Sequence, residues 1–196
     1  MDNRVVIDSD FCNMLTPGNN FYKEKVFFKS IFNSLGKKPV IHTFVYKQEL
    51  LTNTVIKELV NEKFIEIIEY KDFLVEDWYK KQYTDDFVDF YDYMNSEKIA
   101  ADFEQIKTHH AKKNMGEIHS LILAHYLAIP IFMSNDNGAK QLAQTKINSS
   151  AFTICVKNIC DVFCDIKNNG SIKIDSKAVR SILKQRNGWT EKYKNS

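Results

Sequence analysis

The chain is poor in the residues that break or staple a fold. Its 196 residues include 3 Pro and 6 Gly, too few for a disordered, low-complexity or collagen-like polymer. The 4 cysteines, Cys12, Cys155, Cys160 and Cys164, form no CxxC pair, so zinc-ribbon and dithiol patterns are missing. They are expected to be reduced and buried, with Cys155, Cys160 and Cys164 spaced for one side of a helix. HExxH is absent, and His109, His110, His119 and His125 read as surface or helix-packing residues. Neither GxGxxG nor GxxxxGK occurs, which argues against a phosphate-cradling loop. No apolar run approaches the ~18 to 20 residues of a membrane span. The opening MDNRVVIDSDF carries an acid at position 2 and too short an apolar run for a signal peptide. The expected setting is the cytoplasm, with no membrane partner.

A large net charge is missing too: 27 Lys and Arg stand against 25 Asp and Glu, for a net of +2. What is present is a hydrophobic share of 44% with 13% aromatics, the composition of a packed globular domain. At this length one domain is expected, burying roughly 70% of the unfolded surface.

Arg4 to Ser9 reads as a buried strand, because Val5, Val6 and Ile7 form a β-branched run ending in Asp8, Ser9 and Asp10. A Pro-Gly-Asn-Asn turn at 17–20 precedes a helix over Phe21 to Leu35, with Gly36 as its C-cap. A strand over Pro39 to Thr43, a helix over Val45 to Asn61 and a strand over Phe64 to Glu69 follow. Residues 71–113 differ. Trp78, Tyr79, Tyr83, Phe87, Phe90, Tyr91 and Tyr93 recur at helical intervals among many acids, as expected of a helical insertion of two helices outside the sheet. Beyond it lie a helix over Met115 to Ile129, a buried strand in IPIFM stopped from the helix by Pro130, and a helix from Gly138 to Gln144. A strand in AFTICV, a helix over 158–168 and a last amphipathic helix over Ser176 to Gln185 complete the chain. Alternating strands and helices predict an α/β fold, three layers with a central, mainly parallel sheet.

In such sheets ligands bind beyond the carboxyl ends of the strands. Asp8 and Asp10 fall at the end of the first strand, Asp136 falls after IPIFM, and Glu117 lies in the first turn of the helix that feeds it. Taken singly, Asp8 or Asp136 is simply a good helix cap. Together with Glu117 they are acids from distant stretches that converge, and converging carboxylates call for a hard cation such as Mg²⁺ or Mn²⁺.

VVIDSDF, followed later by GEIHSLILAHYLAIPIFMSNDNGAKQLA, resembles the first and last acidic blocks of the PIN-domain family of ribonucleases. The resemblance covers residues 4–69 loosely and 114–190 better, and finds no counterpart for 71–113. It implies that Asp8 closes the first strand as a metal ligand, that Glu117 is the helix acid, and that Asp136 is the second of a late acidic pair. Asn135 replaces the first acid of that pair, and Lys140 stands where arginine is usual. The run Ser134-Asn135-Asp136 is similar to a Thr-Asn-Asp triplet of other PIN nucleases. For the remaining acid, from the helix after the second strand, Glu49 matches best, with Glu58 and Glu62 close by. Asp10 falls where an outer metal ligand is implied. The implied activity is Mg²⁺- or Mn²⁺-dependent endoribonuclease cleavage by Asp8, Glu49, Glu117 and Asp136, with RNA as substrate. An antitoxin-like protein partner and a homodimer belong to the same picture, of a toxin-like prokaryotic ribonuclease.

The charge is uneven. Residues 71–104 hold ten acids against four lysines, and 157–194 hold nine Lys or Arg against four acids. Each is ordinarily a solvated helical face. On a nuclease, the basic stretch with Lys173, Lys177, Arg180, Lys184 and Arg186 would meet the phosphate backbone, and Ser134, Asn135 and Lys140 would line the substrate. Two other readings stay open. A PIN-like scaffold would bind a protein or RNA without cutting it. A phosphatase of the haloacid dehalogenase type would use Asp8 as nucleophile, although Phe11 to Leu15 and Asn135 fit that family poorly.

Overall fold

The structure, a computed structural model, describes residues 3–72, 76–95, 114–169 and 175–196. Five strands build one sheet: β1 (Arg4–Ile7), β2 (Lys38–His42), β3 (Glu66–Ile68), β4 (Ile131–Met133) and β5 (Cys155–Lys157). Their order is β3-β2-β1-β4-β5, and each neighbouring pair runs parallel. Strand β1 is central, paired with β2 through Arg4↔Lys38 and with β4 through Val6↔Phe132. The chain leaves β1 to build one half of the sheet, then returns to β1's other side with β4. That reversal puts the switch in strand order between β1 and β4, so their carboxyl ends flank a crevice.

Helices cover both faces, giving three layers. On one side α1 (Ser9–Leu15), α2 (Phe21–Leu35), α4 (Thr54–Asn61), α8 (Ile159–Asn169) and α9 (Ser176–Leu183) pack against Val5, Ile7, Ile41 and Met133. On the other, α5 (Asp77–Asn95), α6 (Met115–Tyr126) and α7 (Asn137–Leu142) pack against Val6, Val40 and Phe132. The split follows the two-residue period of a strand, which sends Val5 and Val6 to opposite faces. Phe11, Phe28, Phe32 and Phe163 are essentially inaccessible on the first face, and each such burial contributes about 1.5 to 3 kcal/mol. Between β2 and α4 lies α3 (Thr43–Glu49), and α10 (Trp189–Asn195) ends the chain. No helix of the described residues is long and apolar enough to cross a membrane.

Helix α2 has the expected bounds: the Asn20 side chain accepts from the Lys23 N–H, and Gly36 closes it at φ 60°. Elsewhere the structure departs from expectation. The first strand stops at Ile7, because Asp8 becomes the N-cap of α1, a helix not foreseen. The stretch from Val45 to Asn61 is two helices, broken where Asn53 caps α4. Helix α6 ends at Tyr126, and Ala128 takes φ 51° before Pro130. The strand expected over AFTICV starts only at Cys155 and runs one residue past that segment, to Lys157. All four cysteines are free; Cys155 lies on that strand and is exposed, whereas Cys12, Cys160 and Cys164 are buried on helices. Of the aromatic segment, α5 is the expected helix outside the sheet, and it buries Tyr83, Phe87, Phe90 and Tyr91 in the second core against α6 and α7. The second helix expected before residue 113 falls outside the described residues.

Candidate active site at the carboxyl ends of the strands

Asp8 is 2% exposed. Its backbone N–H donates to Met133 O of β4, which ties the end of β1 to its neighbour. Its Oδ1 accepts from the Phe11 N–H at 2.8 Å and so caps α1. A cap uses one oxygen. The other, Oδ2, is buried without a hydrogen-bond partner among the described residues, a costly state for a charged group. Burial pushes the Asp8 carboxyl up to about 8; the Ser134 hydroxyl and the Phe11 N–H hold it down in part, and the charges of Glu117 and Asp10 push it further.

Asp136 occupies the matching place after β4. Its side chain accepts from the Gly138 N–H and caps α7, while its own N–H donates to Ser134 Oγ at 3.1 Å. Ser134 therefore lies between the two aspartates. Capping and convergence are compatible, since each Asp spends one oxygen on its helix.

Glu117 stands in the first turn of α6, entered through Asn114 at φ 63°. Burial raises its pKa, a backbone N–H lowers it, and the charges of Glu49, Asp136 and Asp10 raise it again. Glu49 reaches the same place from the last turn of α3. Ser9 Oγ donates to Glu49 Oε2, and a Cβ built on Gly116 would lie 2.5 Å from Glu49 Oε1. Gly116 thus makes room for a carboxylate beside Glu117. Burial pushes Glu49 up and Ser9 partly offsets it.

The neighbouring alternatives lie elsewhere. Glu58 and Glu62 face α2, where Lys25 pairs with both and Lys29 pairs with Glu62 at 2.6 Å. Of the three glutamates, Glu49 is the one that meets Gly116 and Ser9.

Asp10, in the first turn of α1, is about half exposed and lies 3.5 Å from Arg186 Nη2. Asn135 is buried; its Oδ1 accepts from the Ile159 N–H at 3.0 Å and its Nδ2 lies 3.1 Å from Met14 Sδ. Its amide fastens β4 to the start of α8, which accounts for an amide where an acid was expected. Lys140 is exposed on α7, and Arg180 and Lys184 are exposed on α9 and at its end. None of these three is paired with a site acid among the described residues. Ser9 was missed in the sequence; its one signal is adjacency to Asp8.

The donors are hard oxygens, and the buried, unpartnered Asp8 Oδ2 is a position that a cation would satisfy, so the residues suit Mg²⁺ or Mn²⁺. Among the described residues no group of three or more His, Cys, Asp or Glu side chains stands close enough to hold a metal ion as it is. The histidines are separate from these acids. His42 stacks on His119 at 4.6 Å, and His119 Nδ1 is 2.5 Å from Tyr83 Oη in the second core. His125 is exposed, and His109 and His110 fall outside the described residues. No family model matches the chain, and no curated protein or solved structure matches it significantly.

Proposed function

We propose that the protein is a metal-dependent endoribonuclease of the PIN type, with Asp8, Glu49, Glu117 and Asp136 as its working acids. The reading is supported by one buried Asp8 oxygen without a partner among the described residues at the end of β1, and by Glu117 near enough to feel the charges of Glu49 and Asp136 and to act on Asp8. Asp8, Glu117 and Asp136 would hold Mg²⁺ or Mn²⁺, with Glu49 beside Glu117. When bound, such a cation activates a water and stabilises the leaving oxygen of a phosphodiester. The chain's own groups do the rest. The α1 and α7 amides fix the Asp8 and Asp136 carboxylates through one oxygen each. Ser9 donates to Glu49, and Ser134 Oγ accepts from the Asp136 N–H beside Asp8.

The test is cleavage of a single-stranded RNA with Mn²⁺ by the wild type, D8N and D136N. Loss of activity in both variants is expected, and activity that survives in both sinks the assignment. The second reading, a PIN-like scaffold that binds RNA or a protein partner without cutting, draws on the open spacing of the acids and on the structural duty of Asn135. Calorimetry separates them, because absence of Mn²⁺ binding at millimolar concentration favours the scaffold.

A further inference from the structure

Among the described residues, Arg186 is the one cation paired with an acid of the crevice, through Nη2 at 3.5 Å from Asp10 Oδ2. The two side chains are 48% and 47% exposed, so the pair adds little to stability. The position of Arg186 is nonetheless built. Its guanidinium lies over the Trp189 ring, 5.7 Å from the centroid. Trp189 packs against the first core, and its carbonyl accepts from Cys160 Sγ at 3.5 Å. Helix α10 is fastened to α8 by Lys192 on Asp161 and by Lys167 Nζ donating to Tyr193 O at 2.8 Å. Helix α8 starts where Asn135 Oδ1 holds the Ile159 N–H. The tail is therefore fixed to the element next to the crevice, and it delivers one guanidinium to the rim.

Charge explains what that group is for. Asp8, Asp10, Glu49, Glu117 and Asp136 put five carboxylates around the crevice. Two divalent cations would leave one negative charge, enough to repel a polyanion that must come within contact distance. A guanidinium cancels it, and its planar donors suit two phosphate oxygens at once.

Resting on the nuclease reading above, we propose that Arg186 binds the substrate: it exchanges Asp10 for a phosphate beside the scissile bond. Asp10 and Trp189 are positioning residues that hold the guanidinium at the rim, and Asp10 is not a metal ligand.

The experiment measures binding of a fluorescent single-stranded RNA with a non-hydrolysable backbone to the full chain by anisotropy, at saturating Mn²⁺ and over a range of monovalent salt. Wild type, R186A, R186K and D10N are compared, with Mn²⁺ calorimetry and Mn²⁺-dependent cleavage run in parallel. R186A is expected to weaken binding about tenfold and to flatten the log-log salt slope by about 0.7, the value for one phosphate contact on a single strand. R186K recovers the slope but only part of the affinity. In cleavage, R186A raises KM more than it lowers kcat, and D10N keeps wild-type Mn²⁺ affinity. An unchanged Kd and salt slope in R186A overturns the role of Arg186, even if the wild type cleaves RNA. A loss of Mn²⁺ affinity in D10N overturns the role given to Asp10. Should the wild type cleave nothing while R186A still loses binding and slope, the nuclease reading falls and the phosphate contact stands.

Discussion

Glu49 and Glu62 sit at the ends of successive helices and meet opposite fates. Glu62 closes α4 between Lys25 and Lys29, which hold its carboxyl below the usual range. Glu49 ends α3 on bare Gly116, where burial pushes its carboxyl up and a serine hydroxyl is its partner. The same side chain is neutralised at the α2–α4 surface and left without a cation at the crevice. An acid that serves only the fold is cheapest when paired. Acids kept together without a cation raise the free energy of the empty protein, and a bound cation recovers that cost.

Replacing Asp8 tests this contrast most severely. D8N keeps a good N-cap for α1 but removes the buried charge. Its RNA cleavage with Mn²⁺ is expected to fall by about 10²-fold or more, several kcal/mol in the transition state. Metal-free D8N should melt higher than the wild type. A lower melting temperature would mean that the Asp8 carboxyl stabilises the metal-free fold and is not held there at a cost.

The pH dependence gives the next largest effect. With its folded pKa raised to about 8 from an ordinary 3.8, Asp8 contributes stability that is complete below the ordinary value and is lost as pH rises through about 8. The stability gap between D8N and metal-free wild type should therefore widen from pH 4 to pH 8, by at most about 1.4 kcal/mol per pH unit. Urea unfolding of both proteins at several pH values measures it, and a constant gap breaks the argument. Saturating Mn²⁺ should shrink the gap in favour of the wild type.

G116A probes the Glu49 side of the crevice. Alanine in a helix ordinarily stabilises by up to about 1 kcal/mol over glycine. Here the new Cβ would sit against the end of a flexible carboxylate, so the helix survives while Glu49 moves. The expected outcome is a near-native melting temperature with cleavage reduced about tenfold, roughly 1.4 kcal/mol. Full activity would remove Glu49 from the site. The smallest effect belongs to E62Q, the paired glutamate: its surface ion pairs carry little, and both the melting curve and Mn²⁺ affinity should match the wild type.

Local patterns carried much of this architecture. The β-branched run before Asp8, the Asn20 and Gly36 signals around α2, and the Pro130 stop before β4 correspond to elements of the fold. Helix α1 was invisible because 7 residues are too few for a helical period to stand out. The break between α3 and α4 was missed because Asn53 resembles any polar residue until its side chain caps the Ile56 N–H. The aromatics of α5 read as a helix outside the sheet, as α5 is; which neighbours its buried face meets was not legible, because that depends on α6, whose sequence lies beyond residue 113.

By itself the sequence determined the alternation of strands with the longer helices, and that acids follow β1 and β4, since both depend on side-chain period and capping over a few neighbouring positions. Tertiary structure alone decided the rest: the order β3-β2-β1-β4-β5, Glu49 over Glu58 and Glu62, the unpartnered oxygen of Asp8, and Arg186 at the rim. Those are matters of which charges come near one another. A charge acts through distance and solvent exposure, and both are set by segments that the chain brings together from far apart.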